Sequence, residues 1–195
     1  GGATFAAFIA SGQTCVAGTR ILVHETQHDT LVERMVQRAK AIRIGDPLDL
    51  STQLGPLVSA RQLERTERYV EIGRAEGATT ACGGRRPDGA LASGFFYEPT
   101  IFTGVRPAMQ IAQDEIFGPV TCVLSYRDLD DAVLIANDIE FGLAASIWTG
   151  DAARGIKLAE RLECGIVWIN DHHRIDPSLP WGGMKHSGIG REAGF

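Results

Sequence analysis

Apolar residues recur along this chain with two different spacings. Between Thr26 and Gly45 they return every three or four positions, which predicts a helix that buries one face. Elsewhere they form short runs rich in β-branched and aromatic side chains, which predict strands. The apolar face of the helix consists of Leu31, Val32, Met35, Val36, Ala39 and Ile42.

Polar residues and glycines mark where the predicted elements begin and end. Ser59 with Gln62, and Thr26 with Asp29, have the spacing of a capping box, in which two polar side chains satisfy the first free amides of a helix. Gly77 is expected to end the helix that begins at Ser59. The predicted helices span residues 3–11, 26–45, 59–77 and 128–139, with another capped by Asp151, and the predicted strands span 20–24, 79–83, 95–102, 120–125, 144–149 and 165–170.

The alternation of strands with amphipathic helices predicts the fold class. We expect an α/β fold with a mostly parallel open sheet and helices on both faces. Pro99 cannot donate to a strand ladder, so the strand over 95–102 is expected near an edge of that sheet. Residues 171–195 have little periodicity and much glycine and proline, which indicates a loop-rich tail near the entrance of a site.

Composition narrows the functional classes. The 195 residues carry a formal net charge of −5, and no basic cluster alternates with aromatic residues, so the pattern typical of nucleic-acid binding is missing. The apolar runs are too short to span a bilayer. The widely spaced cysteines lack metal-site spacing, which indicates reduced thiols in a cytoplasmic protein. They are Cys15, Cys82, Cys122 and Cys164.

One of these cysteines lies in a segment of unusual chemistry. Cys15 follows an apolar run and lies between Gly12 and Gly18, which permit a tight turn and the close approach of another group. A thiolate is a strong nucleophile at neutral pH, so this turn is a candidate catalytic site. Free cysteine is also among the most buried residue types, so a small core residue is the alternative interpretation.

Three segments together resemble the signatures of the aldehyde dehydrogenase superfamily. Residues 12–15 read G-Q-T-C, like the nucleophile turn of that family, and residues 115–120 read E-I-F-G-P-V, like its E-x-F-G-P-V segment. Residues 180–192 read P-W-G-G-M-K-H-S-G-I-G-R-E and are similar to a third family segment, with tryptophan in place of phenylalanine. The resemblance runs from the first residues to the last and implies a catalytic domain of the aldehyde dehydrogenase type.

The resemblance implies that an aldehyde is oxidised to a carboxylic acid with NAD⁺ or NADP⁺ as the cofactor. Cys15 would be the catalytic nucleophile that forms a thiohemiacetal and then a thioester. Asn170 would support the active site. Glu115 would bind the hydroxyls of the nicotinamide ribose, and Phe117 would pack beside the nicotinamide.

The resemblance also implies contacts with the substrate, a small aldehyde. Thr14 and Val16 flank the thiol on either side. His172 lies where relatives contact substrate, and Trp181 would form a wall of the site. Such a wall suits an aromatic aldehyde or, through cation–π attraction, a quaternary ammonium such as betaine aldehyde. The spacing of His172 and His173 does not fit a metal site, so no metal is expected.

Several parts of such an enzyme have no match in this sequence. They are the general-base glutamate, the asparagine that completes the oxyanion hole, the Rossmann-type dinucleotide-binding half and the C-terminal oligomerisation strand. We therefore expect residues 1–195 to be a partial catalytic domain, inactive alone, from a homodimeric or homotetrameric enzyme. Two alternatives stay open: a cysteine-dependent acyltransferase or hydrolase, with His24 as the nearest candidate partner of Cys15, and a catalytically silent structural or binding module.

Overall fold

A computed structural model describes residues 1–194, which divide into two compact units, Ala3–Ser125 and the residues from Tyr126 on. Strands alternate with helices in both units, as the predicted α/β class requires. The elements are α1 (Gly2–Phe8), β1 (Arg20–His24), α2 (His28–Lys40), α3 (Ala60–Ala75), β2 (Thr79–Cys82), β3 (Thr100–Thr103), α4 (Gln110–Gln113), β4 (Val120–Tyr126), α5 (Leu129–Asn137), β5 (Phe141–Gly142), β6 (Ala144–Ile147), α6 (Ala152–Ala159), β7 (Ile166–Ile169) and β8 (Met184–Lys185).

The first unit is built on a four-stranded sheet with the strand order β1, β4, β3, β2. β3 and β4 are parallel, with Thr100 opposite Val120 and Phe102 opposite Cys122. All four of these residues are buried, as is usual for parallel strands covered on both faces. β2 is antiparallel to β3 and forms one edge. With the parallel pair β6 and β7 of the second unit, this arrangement confirms the predicted mostly parallel α/β class.

Helices cover both faces of the four-stranded sheet. Ile101 of β3 belongs to one core cluster with Met35 of α2, whereas the next residue, Phe102, lies against Gly73 of α3. Successive side chains of a strand point to opposite faces, so α2 and α3 lie on opposite sides of the sheet. The predicted apolar face of α2 is confirmed, because all of its residues pack in this cluster: Leu31, Val32, Met35, Val36, Ala39 and Ile42.

The prediction that the strand around Pro99 lies near an edge is wrong. β3 starts just after Pro99, at Thr100, and has a neighbouring strand on both sides. The proline ring therefore interrupts no ladder bond, and its carbonyl accepts a hydrogen bond from the Cys82 thiol (3.6 Å). The amide of Thr100 donates to the carbonyl of Pro119 (2.8 Å). A proline that only precedes a strand is compatible with a central position in the sheet.

The capping box predicted at Thr26 and Asp29 is also wrong. A short 3-10 turn over Glu25–Gln27 precedes α2, and the amide of Thr26 donates to the ring of His24 (3.3 Å). The residue before α2 makes no side-chain cap. The histidine offers a local acceptor that the helix-capping pattern does not consider, and the chain turns around it before the helix begins.

The second unit contains two small sheets. β6 and β7 run parallel, from Ala144 opposite Ile166 to Ile147 opposite Ile169, and β5 pairs with β8 in antiparallel orientation. Asp151 caps α6 as predicted, since its carboxylate accepts a hydrogen bond from the amide three residues later (3.0 Å). From residue 171 to 194 the backbone is mostly irregular and contains only the short β8 and one bridge.

The cap at Ser59 provides a test of how α3 is held. Its hydroxyl oxygen accepts a hydrogen bond from the amide of Gln62 (3.3 Å). Ser59→Ala should therefore lower the free energy of unfolding by about 1 kcal/mol, measured by urea denaturation. Ser59→Asp keeps an acceptor at the cap and should retain most of this stability. An equal loss in both variants would show that the side-chain oxygen contributes nothing.

Candidate active site

The backbone before Cys15 takes the left-handed conformation at three consecutive residues. Ala10, Ser11 and Gly12 have φ values of 50°, 57° and 71°. The predicted first helix therefore ends earlier than expected, at Phe8. Left-handed backbone is uncommon for residues that carry a side chain, and it persists where surrounding contacts impose it. The segment that presents Cys15 is a turn, as its glycines predicted.

Two hydrogen bonds hold this turn from the same side. The hydroxyl of Ser11 donates to the carbonyl of Gly55 (2.9 Å), and the side-chain carbonyl of Gln13 accepts a bond from the amide of Val58 (2.9 Å). Both partners lie in the loop that leads into α3. The two polar side chains on either side of Gly12 therefore fix the turn to the start of that helix.

Cys15 differs from the other three cysteines in exposure. It is exposed, whereas Cys82 and Cys122 are buried and Cys164 is half-buried. Burial raises the pKa of the Cys82 thiol and raises the pKa of Cys122 to about 12. At neutral pH both buried thiols stay protonated and are poor nucleophiles. The exposure of Cys15 is the opposite of what the core-residue interpretation requires.

The neighbours of Cys15 differ from each other in burial. Thr14 is half-buried, and its carbonyl accepts a hydrogen bond from the amide of Ala17 (3.0 Å), which closes the turn. Val16 is only 5% exposed. The substrate contacts of Thr14 and Val16 stay predictions. The apolar side chain of Val16 anchors the turn in the core of the unit.

The second motif, the EIFG loop (residues 115–118), is held by one face of α3. The side-chain amide of Gln62 donates to the carbonyls of Ile116 (3.0 Å) and Phe117 (2.7 Å). The guanidinium of Arg65 donates through Nε to the carbonyl of Ile116 (3.3 Å) and through Nη2 to the carbonyl of Glu115. Two side chains therefore donate to three consecutive carbonyls of the loop. These bonds fix the backbone of the loop, which carries the side chains proposed to contact the cofactor.

The nucleophile turn and the EIFG loop touch through two glycines. Gly12 lies so close to the carbonyl of Gly118 that a Cβ atom at Gly12 would overlap it. A Cβ atom at Gly118 would lie 2.5 Å from the hydroxyl oxygen of Thr66, a fully buried residue of α3. Only glycine allows such an approach of two backbones. Two motifs that are far apart in sequence therefore share one place in the first unit.

The EIFG loop suits the ribose and nicotinamide roles that the sequence implies. Glu115 is exposed, so its carboxylate can accept hydrogen bonds from two adjacent hydroxyls. Phe117 is half-buried and offers part of its ring, and the buried Ile116 between them anchors the loop. The φ of Phe117 is 61°, an uncommon conformation that the hydrogen bonds from α3 support.

Aromatic side chains of the predicted substrate wall meet in the second unit. The ring of Trp168 lies 5.3 Å from that of His172, edge to face, and 6.5 Å from that of Trp181. The indole N–H of Trp168 donates to the carbonyl of Arg174 (2.7 Å), and His172 shares a hydrogen bond with the hydroxyl of Ser146 (2.6 Å). The structure thus brings His172 and Trp181 together around Trp168, which is itself buried, as expected of a core residue.

Asn170 is engaged with the backbone of the neighbouring chain segment. Its side chain accepts a hydrogen bond from the amide of Thr149 and donates one to the carbonyl of the same residue, both at 2.8 Å. Asn170 has a φ of 55° and follows β7 directly, so its side chain joins the segments that come just after β6 and β7. This geometry favours support over direct chemistry, and the role of Asn170 in the active site stays a prediction.

Sequence reasoning did not identify Gln62 and Arg65 as site residues. Ser59 caps α3 as predicted and accepts from the backbone amide of Gln62, but the side-chain amide of Gln62, the expected reciprocal partner, bonds to the EIFG loop instead. The next polar residue on this face, Tyr69, donates to Asp114 just before the loop (2.9 Å). Gln62, Arg65 and Tyr69 lie three and four positions apart on one helix face, a spacing that does not by itself indicate what this face contacts.

The described part of the chain holds neither a metal-ion cluster nor a helix that could span a membrane. Among residues 1–194, no three His, Cys, Asp or Glu side chains come together as a metal ion would require. None of the helices in this range is long and apolar enough to cross a membrane.

Sequence comparison relates the whole chain to one family. Residues 1–195 match the profile of the aldehyde dehydrogenase family. The betaine aldehyde dehydrogenases of Brucella anthropi and Brucella melitensis are 49% and 47% identical to this chain over 196 aligned positions. The alignments cover 100% of this chain and 40% of each relative, so the chain spans about two fifths of the length of the curated relatives it matches.

Structural comparison gives the same result. The crystal structure of betaine aldehyde dehydrogenase from Staphylococcus aureus in complex with NAD⁺ superposes with a TM-score of 0.97 at 40% sequence identity. The superposition covers 98% of this chain and 38% of that one. Together with the three matching sequence segments and the meeting of two of them at Gly12 and Gly118, these similarities show that the chain belongs to the aldehyde dehydrogenase family.

Proposed function

We propose that the full-length protein that contains this chain oxidises an aldehyde to a carboxylic acid with NAD⁺ or NADP⁺. The observation that carries this proposal is the contact between Gly12 and Gly118. It brings an exposed thiol and an exposed carboxylate, each on a rigid turn, into one compact unit. A reaction that needs a nucleophile beside a bound cofactor requires such an arrangement.

Cys15 supplies the covalent step of the proposed reaction. Its thiolate adds to the carbonyl carbon of the aldehyde, and the backbone N–H of Cys15 is one donor that can stabilise the resulting oxyanion. The carbon then loses hydride and becomes the acyl carbon of a thioester. Water hydrolyses the thioester, which releases the carboxylic acid and restores the thiol. The base that activates this water is expected outside residues 1–195.

Glu115 and Phe117 would hold the nicotinamide end of the cofactor, which supplies the hydride acceptor when bound. The carboxylate of Glu115 can accept from both ribose hydroxyls, and the ring of Phe117 can pack against the nicotinamide. The Staphylococcus aureus relative was crystallised with NAD⁺, which supports this class of cofactor. The choice between NAD⁺ and NADP⁺, the homodimer or homotetramer and the cytoplasmic location stay predictions.

Within this activity, we favour a quaternary ammonium aldehyde as the substrate. The relatives from both Brucella species are betaine aldehyde dehydrogenases. Trp181 packs on the buried Trp168, 6.5 Å away centre to centre, and an accessible aromatic face attracts a cation that has lost part of its water. Trp181 is half-buried, so part of its ring can contact a ligand.

The alternatives from other classes have less support. A hydrolase or acyltransferase would need a base for Cys15, but the ring of His24 shares a hydrogen bond with the hydroxyl of Thr26 (2.8 Å). A catalytically silent module would not need an exposed thiol in a turn that follows three left-handed residues. Reduction of a nicotinamide cofactor by an aldehyde distinguishes the proposed function from both.

The first test of this proposal is the reactivity of the cysteines. Iodoacetamide should alkylate Cys15 before the other three, because it is exposed and the thiols of Cys82 and Cys122 are buried with raised pKa values. Peptide mapping after short exposure at pH 8 measures the order. In the full-length enzyme, Cys15→Ala should abolish NADH formation. Faster alkylation of Cys164 would contradict the assignment of the nucleophile.

A second test concerns the proposed ribose contact. In the full-length enzyme, Glu115→Gln should slow hydride transfer by about tenfold to a hundredfold at saturating cofactor, because small displacements of a reacting group are costly. Single-turnover NADH absorbance measures this rate. Glu140→Gln, which changes an exposed carboxylate of the second unit, is the matched control and should leave the rate unchanged. An unchanged rate in Glu115→Gln would rule out the cofactor role.

A third test addresses the substrate. Trp181→Leu should raise the KM for betaine aldehyde about tenfold, since a cation–π contact contributes roughly 0.5 to 2 kcal/mol. It should change the KM for 3,3-dimethylbutanal, the neutral isostere, much less. Trp148→Leu changes an exposed tryptophan of the second unit and serves as the control. Equal effects of Trp181→Leu on the charged and neutral aldehydes would contradict recognition of the cation.

A further inference from the structure

α3 contacts the EIFG loop through side-chain hydrogen bonds to its backbone, in addition to packing. Gln62 and Arg65 donate hydrogen bonds to the carbonyls of Glu115, Ile116 and Phe117. Consecutive carbonyls of an extended chain point in alternating directions, so one helix face can reach three of them only if the loop is bent. The positive φ of Phe117 provides that bend.

We propose that Gln62 and Arg65 are positioning residues that set where the cofactor-binding side chains of the EIFG loop stand relative to Cys15. This role rests on the proposed function. Neither residue is required to touch the cofactor for this effect. They fix the backbone of the loop, and the position of this backbone determines where the carboxylate of Glu115 and the ring of Phe117 lie.

The same helix holds the residue before the EIFG loop. Arg65 lies over the ring of Tyr69, 4.9 Å from its centre, and the hydroxyl of Tyr69 donates to the carboxylate of Asp114 (2.9 Å). Gln110 donates to the same carboxylate (2.8 Å). Both ends of the loop are therefore attached to α3, which leaves the loop little freedom to shift along the helix.

The nucleophile turn is attached to the same helix by its other end. Ser11 and Gln13 bond to Gly55 and Val58, in the loop that leads to the cap of α3 at Ser59. The cysteine turn and the EIFG loop thus share one rigid support. The distance between the reacting carbon on Cys15 and a nicotinamide held at Glu115 would be set through α3, and errors of about 1 Å in such a distance can cost a hundredfold in rate.

The first experiment measures how readily the EIFG loop opens in the full-length protein without cofactor. Arg65→Met removes the guanidinium donors and keeps an unbranched side chain. Gln62→Met removes the side-chain amide and leaves the backbone amide in place. Hydrogen–deuterium exchange of a peptide that covers residues 113–120 should accelerate by about tenfold in each variant. The matched control is Arg61→Met, because Arg61 is an exposed arginine of the same helix turn and should leave the exchange unchanged.

The second experiment measures the reaction. At saturating NAD⁺, single-turnover hydride transfer should fall by about tenfold to a hundredfold in Arg65→Met and Gln62→Met. Arg65→Lys should fall between the wild-type enzyme and Arg65→Met, since an ammonium group can replace only part of a bidentate guanidinium. The alkylation rate of Cys15 should stay within about twofold of the wild-type rate in all variants, because the nucleophile turn has its own hydrogen bonds.

The outcomes separate this inference from the proposed function. Absence of NADH formation by the wild-type enzyme with every aldehyde would overturn the proposed function before any variant is compared. If the wild-type enzyme is active, unchanged exchange in Arg65→Met and Gln62→Met, or equal acceleration in Arg61→Met, would overturn the positioning role. Accelerated exchange with unchanged hydride transfer would overturn it as well. Accelerated exchange with slower transfer, in these variants and not in Arg61→Met, would establish it.

Discussion

The close approach of two backbones at Gly12 and Gly118 is the constraint on which the first unit depends. It requires a left-handed turn before Cys15 and a bent loop after Glu115, neither of which a regular helix or strand could supply. The sheet serves this contact indirectly. The EIFG loop leads directly into β4, whose parallel pairing with β3 gives the contact a fixed base.

α3 fixes the relative positions of the two segments that meet at this contact. A helix is stiff over its length, so side chains on one face keep constant distances from one another. Gln62, Arg65 and Tyr69 use that property to fix a segment that has no regular structure of its own. Gln62 and Arg65 are committed to backbone carbonyls of the loop, and Tyr69 is committed to the carboxylate of Asp114 just before it. As a result, residues that are distant in sequence keep fixed positions relative to one another.

The sequence predicted the elements better than their contacts. Apolar periodicity was sufficient for α2, whose whole predicted face is packed, because burial of a helix stripe depends on residue spacing alone. The proline rule failed at Pro99 because β3 begins one residue after the ring, and the capping pattern failed at Thr26 because the ring of His24 accepts a hydrogen bond from its amide. The motif around Cys15 predicted a turn that presents a thiol, and the side chains of both Cys15 and Glu115 are exposed. The motifs could not show Gln62 and Arg65 as supports, since a donor to a loop carbonyl has no signature in a single sequence.

The contact of two glycines also limits how this site can change. A side chain at Gly12 would displace the backbone of Gly118, and a side chain at Gly118 would displace Thr66 of α3, so neither position accepts a side chain unless a neighbouring segment moves. Within the proposed function, diversity in aldehyde preference would have to arise elsewhere, among side chains that border open space. For directed evolution of the proposed activity, libraries that leave both glycines untouched and randomise the surroundings of Trp181 would vary the proposed substrate contacts and keep the contact between the two motifs.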